Sequence, residues 1–358
     1  MTLPEPAAPF KRPKWRWLFL PYAIAVTAAL GWSILWLEIR NQTALAMDRA
    51  SVQAKAHGID LDWKDRSIGG YPFRIEVTVT GFQVGEPSGW RLAAPTMKAI
   101  ANAYDLQHWV IAVPDGVDLA RPNAGVTRIT GTAIRASWVG KGDAAPRVIA
   151  EGIGLTFAPA PGPAPGPAGA KPFPLASAGH AEIFTRTEPD GRMDAGLLLD
   201  NAQPRASSPG APSLLADLTN DRPFALLWQG IVSHPDAFRG ASAATAAQAW
   251  ANAGGAITTV RAGMASGPRG LGVAPGSMSL AADGRLSGQV TALYRGDGGN
   301  VLRAMGRDNI INPLAADTVA LLTDARAELG GKPTIDVTFQ AGVTTLGPVA
   351  IGPAPKPF

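Results

Sequence analysis

The sequence predicts an α+β fold, mostly antiparallel β sheet with a few helices, preceded by one N-terminal transmembrane helix. Three observations carry this. Residues 17–37 form a run of 21 residues without a charge. Residues 73–80 alternate apolar Phe73, Ile75, Val77 and Val79 with polar Arg74, Glu76, Thr78 and Thr80, the pattern of a strand with one buried and one wet face. Asp-Gly pairs at 190–191 and 283–284 stand between strand-like runs, the strongest short-range hairpin signal.

The uncharged run, WLFLPYAIAVTAALGWSILWL, reaches about 30 Å as a helix, the thickness of a bilayer hydrocarbon core. Its anchor residues are Trp17, Leu18, Phe19, Leu20, Leu30, Trp32, Leu35 and Trp36. Pro21 and Gly31 are tolerated in a membrane helix, and Trp and Tyr gather towards both ends as interfacial belts do. Lys11, Arg12, Lys14 and Arg16 precede it against a single Glu5. By the positive-inside rule they stay cytoplasmic and everything beyond about residue 40 lies outside. A cleaved signal peptide is the rival, with Ala44-Leu45-Ala46 as its site. The apolar run is longer than a signal core, and that site lies far past its end, so the anchor is the stronger reading.

The divisions expected are a basic tail at 1–16, the transmembrane helix at 17–39, a first β-rich half at 40–157, a Pro-rich loop or linker at 158–174, and a second β-rich half with helices at 175–358. Residues 41–57 continue helical, with Ala44, Met47, Ala50 and Ala54 at helical spacing and His57-Gly58 as a C-terminal cap. Ile59, Leu61 and Trp63 then alternate with Asp60, Asp62 and Lys64. A Gly69-Gly70-Tyr71-Pro72 turn precedes the 73–80 strand, whose apolar phase flips at Gly81, as a β-bulge would make it do. Further strands are expected near 90–101, 106–113, 126–139 and 149–157. Seven prolines in residues 158–174 exclude a helix or central strand there. Hairpins follow at 181–187 with 193–199 and at 277–282 with 285–293, and DGRMDAGLLL and DGRLSGQVTAL hint at a structural repeat. Helices are expected at 241–253 and 313–328, then a last strand at 335–340 and a Gly/Pro-rich tail.

Composition narrows the function. Of 358 residues 17% are charged, below the roughly 25% of an average soluble protein, and Gly (41) and Pro (32) make the chain turn-rich. The absence of cysteine excludes disulfides, thiolate metal sites and a cysteine nucleophile. The net charge is +4, and the basic tail carries most of it, so the folded part offers no basic patch for nucleic acid. His57, His108, His180 and His234 are dispersed without the close pairing of metal ligands. Gly263 to Gly267 lacks the spacing of a nucleophile elbow, Gly331-Lys332 lacks the rest of a phosphate loop, and Gly267 to Gly272 is not a dinucleotide fingerprint. Asp60 and Asp62 share a strand face as a solvated edge. No catalytic, metal or cofactor residue is assigned, and no cofactor is expected.

Gly69-Gly70-Tyr71-Pro72-Phe73-Arg74, followed by the alternating strand, resembles a bacterial envelope family, the domain of unknown function 2125. So does the order of the later motifs: Trp250 with Gly254 and Gly255, Asp283 to Gly288, and Leu346 to Val349. The resemblance implies an anchored envelope protein, no established activity and no catalytic residues; Gly70, Tyr71, Pro72, Phe73 and Arg74 are its family-like turn. The architecture is also loosely similar to β-rich envelope proteins of lipid handling, by analogy alone. The expected role is non-enzymatic: a single-pass inner-membrane protein, its bulk periplasmic, whose partners are the bilayer and a lipid or other hydrophobic ligand. The alternative is an envelope scaffold acting through protein contacts at an exposed apolar or sheet-edge patch. A hydrolase without a recognisable motif is the least supported reading.

Overall fold

The computed structural model describes residues 16–122, 124–141, 144–160, 172–207, 213–238, 242–295, 298–307, 311–328 and 334–356. Helix α1 (Arg16–Ala56) is continuous through the apolar run and the stem beyond it. It stops where Gly58 takes φ 76° and the Ile59 N–H turns back to the Ala54 carbonyl at 2.9 Å, a glycine C-cap.

From there the described residues form one antiparallel sheet of nineteen strands, largely a meander in which short strands lie end to end along longer neighbours. Strands β1 (Asp60–Asp62) and β2 (Asp65–Gly69) lie end to end along β3 (Arg74–Gly85). β4 (Arg91–Asn102) carries β5 (Asp105–Ala112) and β6 (Val117–Ala120). β7 (Val126–Thr130) and β8 (Ala133–Lys141) return them to β9 (Ala144–Pro159). β9 pairs with β10 (Leu175–Thr187), so the sheet runs on across the Pro-rich insert, of which 161–171 lie outside the described residues. β11 (Met193–Pro204), helix α2 (Leu214–Thr219), β12 (Phe224–Val232), helix α3 (Ala243–Asn252) and β13 (Ala256–Ser266) follow. β14 (Arg269–Val273) and β15 (Gly276–Leu280) lie between β13 and β16 (Leu286–Arg295). Helices α4 (Gly298–Arg307) and α5 (Pro313–Glu328) precede the last strands, β17 (Thr334–Gln340), β18 (Val343–Leu346) and β19 (Val349–Pro353).

The hairpin turns repeat one design. In Glu188–Arg192 the glycine has φ 81°, and the first residue's N–H meets the last residue's carbonyl at 2.7 Å. Ala281–Arg285 repeats both values, and Glu86–Trp90 has φ 100° at Gly89 with a 2.9 Å bond. This three-residue loop ending in a left-handed glycine suits the twist of antiparallel strands. The likeness of the two Asp-Gly-Arg stretches is therefore one of turn geometry.

The five α-helices among the described residues pack on the same face of the sheet, in four apolar clusters. α1 covers Ile68, Ile75, Val77 and Ala99. α2 lies among Leu199, Leu226 and Met264. Trp250 of α3 packs on Ala195 and Val232, and α4 with α5 on Val337, Leu346 and Ile351. The opposite face is polar in places, with cross-strand pairs such as Arg135–Glu151 and Thr291–Asp336.

Several expectations need correction. The region 126–139 is two strands, broken at Gly131-Thr132. Residues after 340 form β18 and β19, not a tail. Gly81 is not a bulge: register is unchanged across it (Thr80 opposite Thr96, Phe82 opposite Ala94) because Pro95 faces it, and both strands flip phase together. Phe73 does not join Ile75 and Val77 in the core; it lies in the turn before β3 and is exposed.

Candidate functional site: the helix clasp and the apolar sheet face

The family-like turn is where α1 meets the sheet. The Trp32 indole N–H donates to the Pro72 carbonyl at 2.8 Å, and that of Trp36 donates to the Arg74 carbonyl at 2.9 Å. The Ser33 and Tyr71 hydroxyls pair at 2.9 Å, and Tyr71 stands edge-on to Trp36 with ring centroids 5.5 Å apart. Further along, Arg40 donates to the Ile68 carbonyl, Arg66 chelates Asp48, and Ser51 donates to the Leu61 carbonyl. The helix thus runs antiparallel to β2 and parallel to β3. Gly70 adopts φ 97°, and a Cβ there would sit 2.8 Å from the Arg74 carbonyl oxygen, so the turn requires glycine.

Of the other anticipated residues, Arg16, Trp17 and Leu18 open α1, and Lys11, Arg12 and Lys14 lie outside the described residues. Phe19, Leu20, Leu30 and Leu35 are exposed, whereas Trp32 is half-buried and Trp36 is buried against the sheet. α1 is long and apolar enough to cross a membrane, and only 6% of its apolar window is buried by the rest of the chain.

The helix-bearing face holds the second feature. Register places Ile111, Ala136, Ala150, Ile183, Leu197 and Trp228 abreast on six successive strands. The row extends one way through Ala99 and Val77 beneath α1, and the other way through Ala262, Val273 and Ala292 to Ile335. No polar side chain interrupts it. Its middle is not roofed: Ile111, Ala136, Ala150, Ile183 and Leu197 belong to none of the four clusters, and Ile183 is 55% exposed. At the far end the same face opens into a cleft of about 660 Å³ lined by Met305, Val337, Phe339, Leu346, Ile351 and Pro353, among others. That volume suits a small apolar ligand. Two polar side chains at the cleft are already engaged. Asn312 Oδ1 accepts from the Leu314 and Ala315 N–H groups, and the Thr344 hydroxyl donates to the Pro353 carbonyl. No single segment announces this row; it emerges only from register.

The titratable groups serve the scaffold. Arg135 first, then His180 at 3.2 Å, hold the Glu151 carboxyl below its ordinary range. Arg66 does the same for Asp48, and Arg192 for Asp190. His57 bonds the Gln53 carbonyl, His108 the Ser137 hydroxyl, and His234 precedes a short turn with φ 51°. Among the described residues no group of three His, Asp or Glu could hold a metal. The sheet edges are blunt: β1 carries exposed Asp60 and Asp62, and β19 is short and holds Gly352 and Pro353.

The sequence profile of DUF2125, described as an uncharacterised protein conserved in bacteria, matches residues 36–355. The chain belongs to the DUF2125 family. Neither the curated proteins nor the solved structures contain a match to it. The DUF2125 motifs read from the sequence now have physical roles. Gly254 (φ 77°) follows the end of α3, and Gly255 leaves room for Trp250: a Cβ there would lie 2.2 Å from the indole. In Asp283 to Gly288, Arg285 reaches the Ala354 carbonyl at 2.7 Å, and Gly288 takes φ 136° against the Ser277 carbonyl. Gly347 (φ 56°) turns β18 into β19.

Proposed function

We propose that this DUF2125 protein is a non-enzymatic envelope module, anchored in the bacterial inner membrane by α1 with its sheet in the periplasm, that holds an acyl chain or similar hydrophobe on its apolar sheet face. The observation that carries the reading is the unbroken apolar row, roofed at its ends and open in its middle. Burying such a row against an acyl chain gains about 25 cal/mol per Å² of apolar surface, without any directional contact. Orientation follows from the basic residues ahead of the helix.

The test is photo-crosslinking with a phospholipid carrying a diazirine in its acyl chain, using the full chain in nanodiscs. Label on peptides of β10 and β11 around Ile183 and Leu197, lost in Ile183→Arg, supports the reading. Label confined to α1 refutes it and turns attention to a scaffold acting through protein contacts.

A further inference from the structure

We infer that the tips of two neighbouring hairpins, carrying Tyr71, Phe73 and Tyr104, are immersed in the outer interface of the bilayer, making the family-like turn a second membrane contact beside the helix. This rests on the reading that α1 spans the membrane.

The first argument is axial distance. The uncharged run ends at Leu37, with Glu38 the first charge beyond it. The turn is clasped to α1 at Trp32, Ser33 and Trp36. At 1.5 Å per residue Trp32 lies about 8 Å short of Leu37 and only about 22 Å from Trp17. A hydrocarbon core of about 30 Å therefore reaches past the level of the turn. The helix cannot slide outward to lift the turn clear without drawing Arg16 into the hydrocarbon on the cytoplasmic side. Because α1 runs parallel to β3, the turn at the start of β3 is the end of the sheet level with the apolar run and faces the membrane.

The second argument is chemical. Phe73 is 65% exposed and Tyr104 73% exposed. They stand on adjoining tips, joined by the Ala103 N–H donating to the Phe73 carbonyl at 2.9 Å. Tyr71 shows 55% of its surface around a ring whose hydroxyl is already bonded. Aromatic side chains of this kind favour the headgroup level. Much of the tip backbone is satisfied within the protein: the carbonyls of Gly70, Pro72, Phe73 and Arg74 accept hydrogen bonds, and Pro72 has no N–H. Irregular backbone enters a water-poor region only when satisfied in this way.

The chain has no cysteine, so single cysteines at positions 73 and 104 can be spin-labelled without background. The full chain is placed in nanodiscs, and collision of each label with oxygen and with a water-soluble nickel chelate is measured. Leu30→Cys reports the span, and Ser88→Cys the β3–β4 turn at the opposite end of the sheet. Oxygen collisions exceeding nickel collisions at 73 and 104, with the reverse at 88, are expected. Labels at 73 and 104 that behave like 88 while 30 reads deep would overturn the seating and leave the anchor standing. A label at 30 that reads aqueous would overturn the anchor and the seating with it. All four positions are exposed, so the fold survives labelling.

Discussion

Truncating Trp36 tests whether α1 is part of the folded domain or merely a tether. Its side chain is 6% exposed, packs on Ile75 and Val77, and donates to the Arg74 carbonyl. Replacing a buried Trp with Ala costs about 3–5 kcal/mol. Most of that loss falls on the contact between helix and sheet, because among the described residues α1 is the helix that covers Ile75, which is 0% exposed. At 1.4 kcal/mol per factor of ten, local opening becomes roughly a hundredfold to a few thousandfold more frequent. Hydrogen–deuterium exchange of the full chain in nanodiscs reads this directly at amides 66–69 and 75–79, which the β2–β3–β4 ladder protects. In Trp36→Phe the ring stays but the Arg74 carbonyl loses its indole donor. That costs about 1–3 kcal/mol, and exchange there should rise by roughly ten- to a hundredfold. Exchange at β2 and β3 unchanged in Trp36→Ala, with only α1 loosened, would show that the sheet does not need the helix and would refute the clasp.

Three further outcomes follow from contacts already described. Gly255→Ala drives a methyl into the Trp250 indole and should destabilise by about 1–3 kcal/mol; thermal melting reads the fall, and an unchanged midpoint would mean that Trp250 has room to move. Arg135, then His180, depress the Glu151 carboxyl, so the unfolded chain takes up its proton first as pH falls. The stabilisation is complete above the unfolded carboxylate value, near pH 4.3, and is lost as pH drops through the lower folded value. Glu151→Gln should flatten the acid limb of melting temperature against pH, and an identical limb would show that the pair contributes nothing. Replacing residues 161–171 with a four-residue Gly-Ser linker should change stability by no more than about 1 kcal/mol, since loop closure varies only with the logarithm of length. The insert's base is pinned independently by Arg205, which donates to the Phe157, Phe173 and Leu175 carbonyls, and a cooperative loss of the fold would contradict this.

What the sequence disclosed was what is local. The long apolar helix needs only composition over twenty residues. The hairpins at 190–191 and 283–284 need only a glycine able to take positive φ, and β3 shows its alternation because α1 buries one side of it and water wets the other. β12 escaped for the opposite reason: in FALLWQGIV all residues are buried or half-buried, so apolar residues occupy both phases and no period-two signal survives. β18 and β19 were hidden by glycine and proline. Pro353 closes an edge strand, where its missing N–H faces no neighbour and costs the ladder nothing. The apolar row is a different case. Ala136, Ala150, Ile183 and Leu197 are ordinary residues in four separate stretches, and each is half of an unremarkable alternation. A slip of one residue in one direction would put Arg135, Glu151, Glu182 or Leu198 in the row instead, three of them charged, and in the other Ser137, Ile149, Phe184 or Gly196, and either slip turns that strand's alternation over. Continuity over so many strands therefore demands that every turn length be right. The left-handed glycines at 89, 191 and 284 that set hairpin register are accordingly as necessary to the proposed ligand face as the apolar side chains that line it.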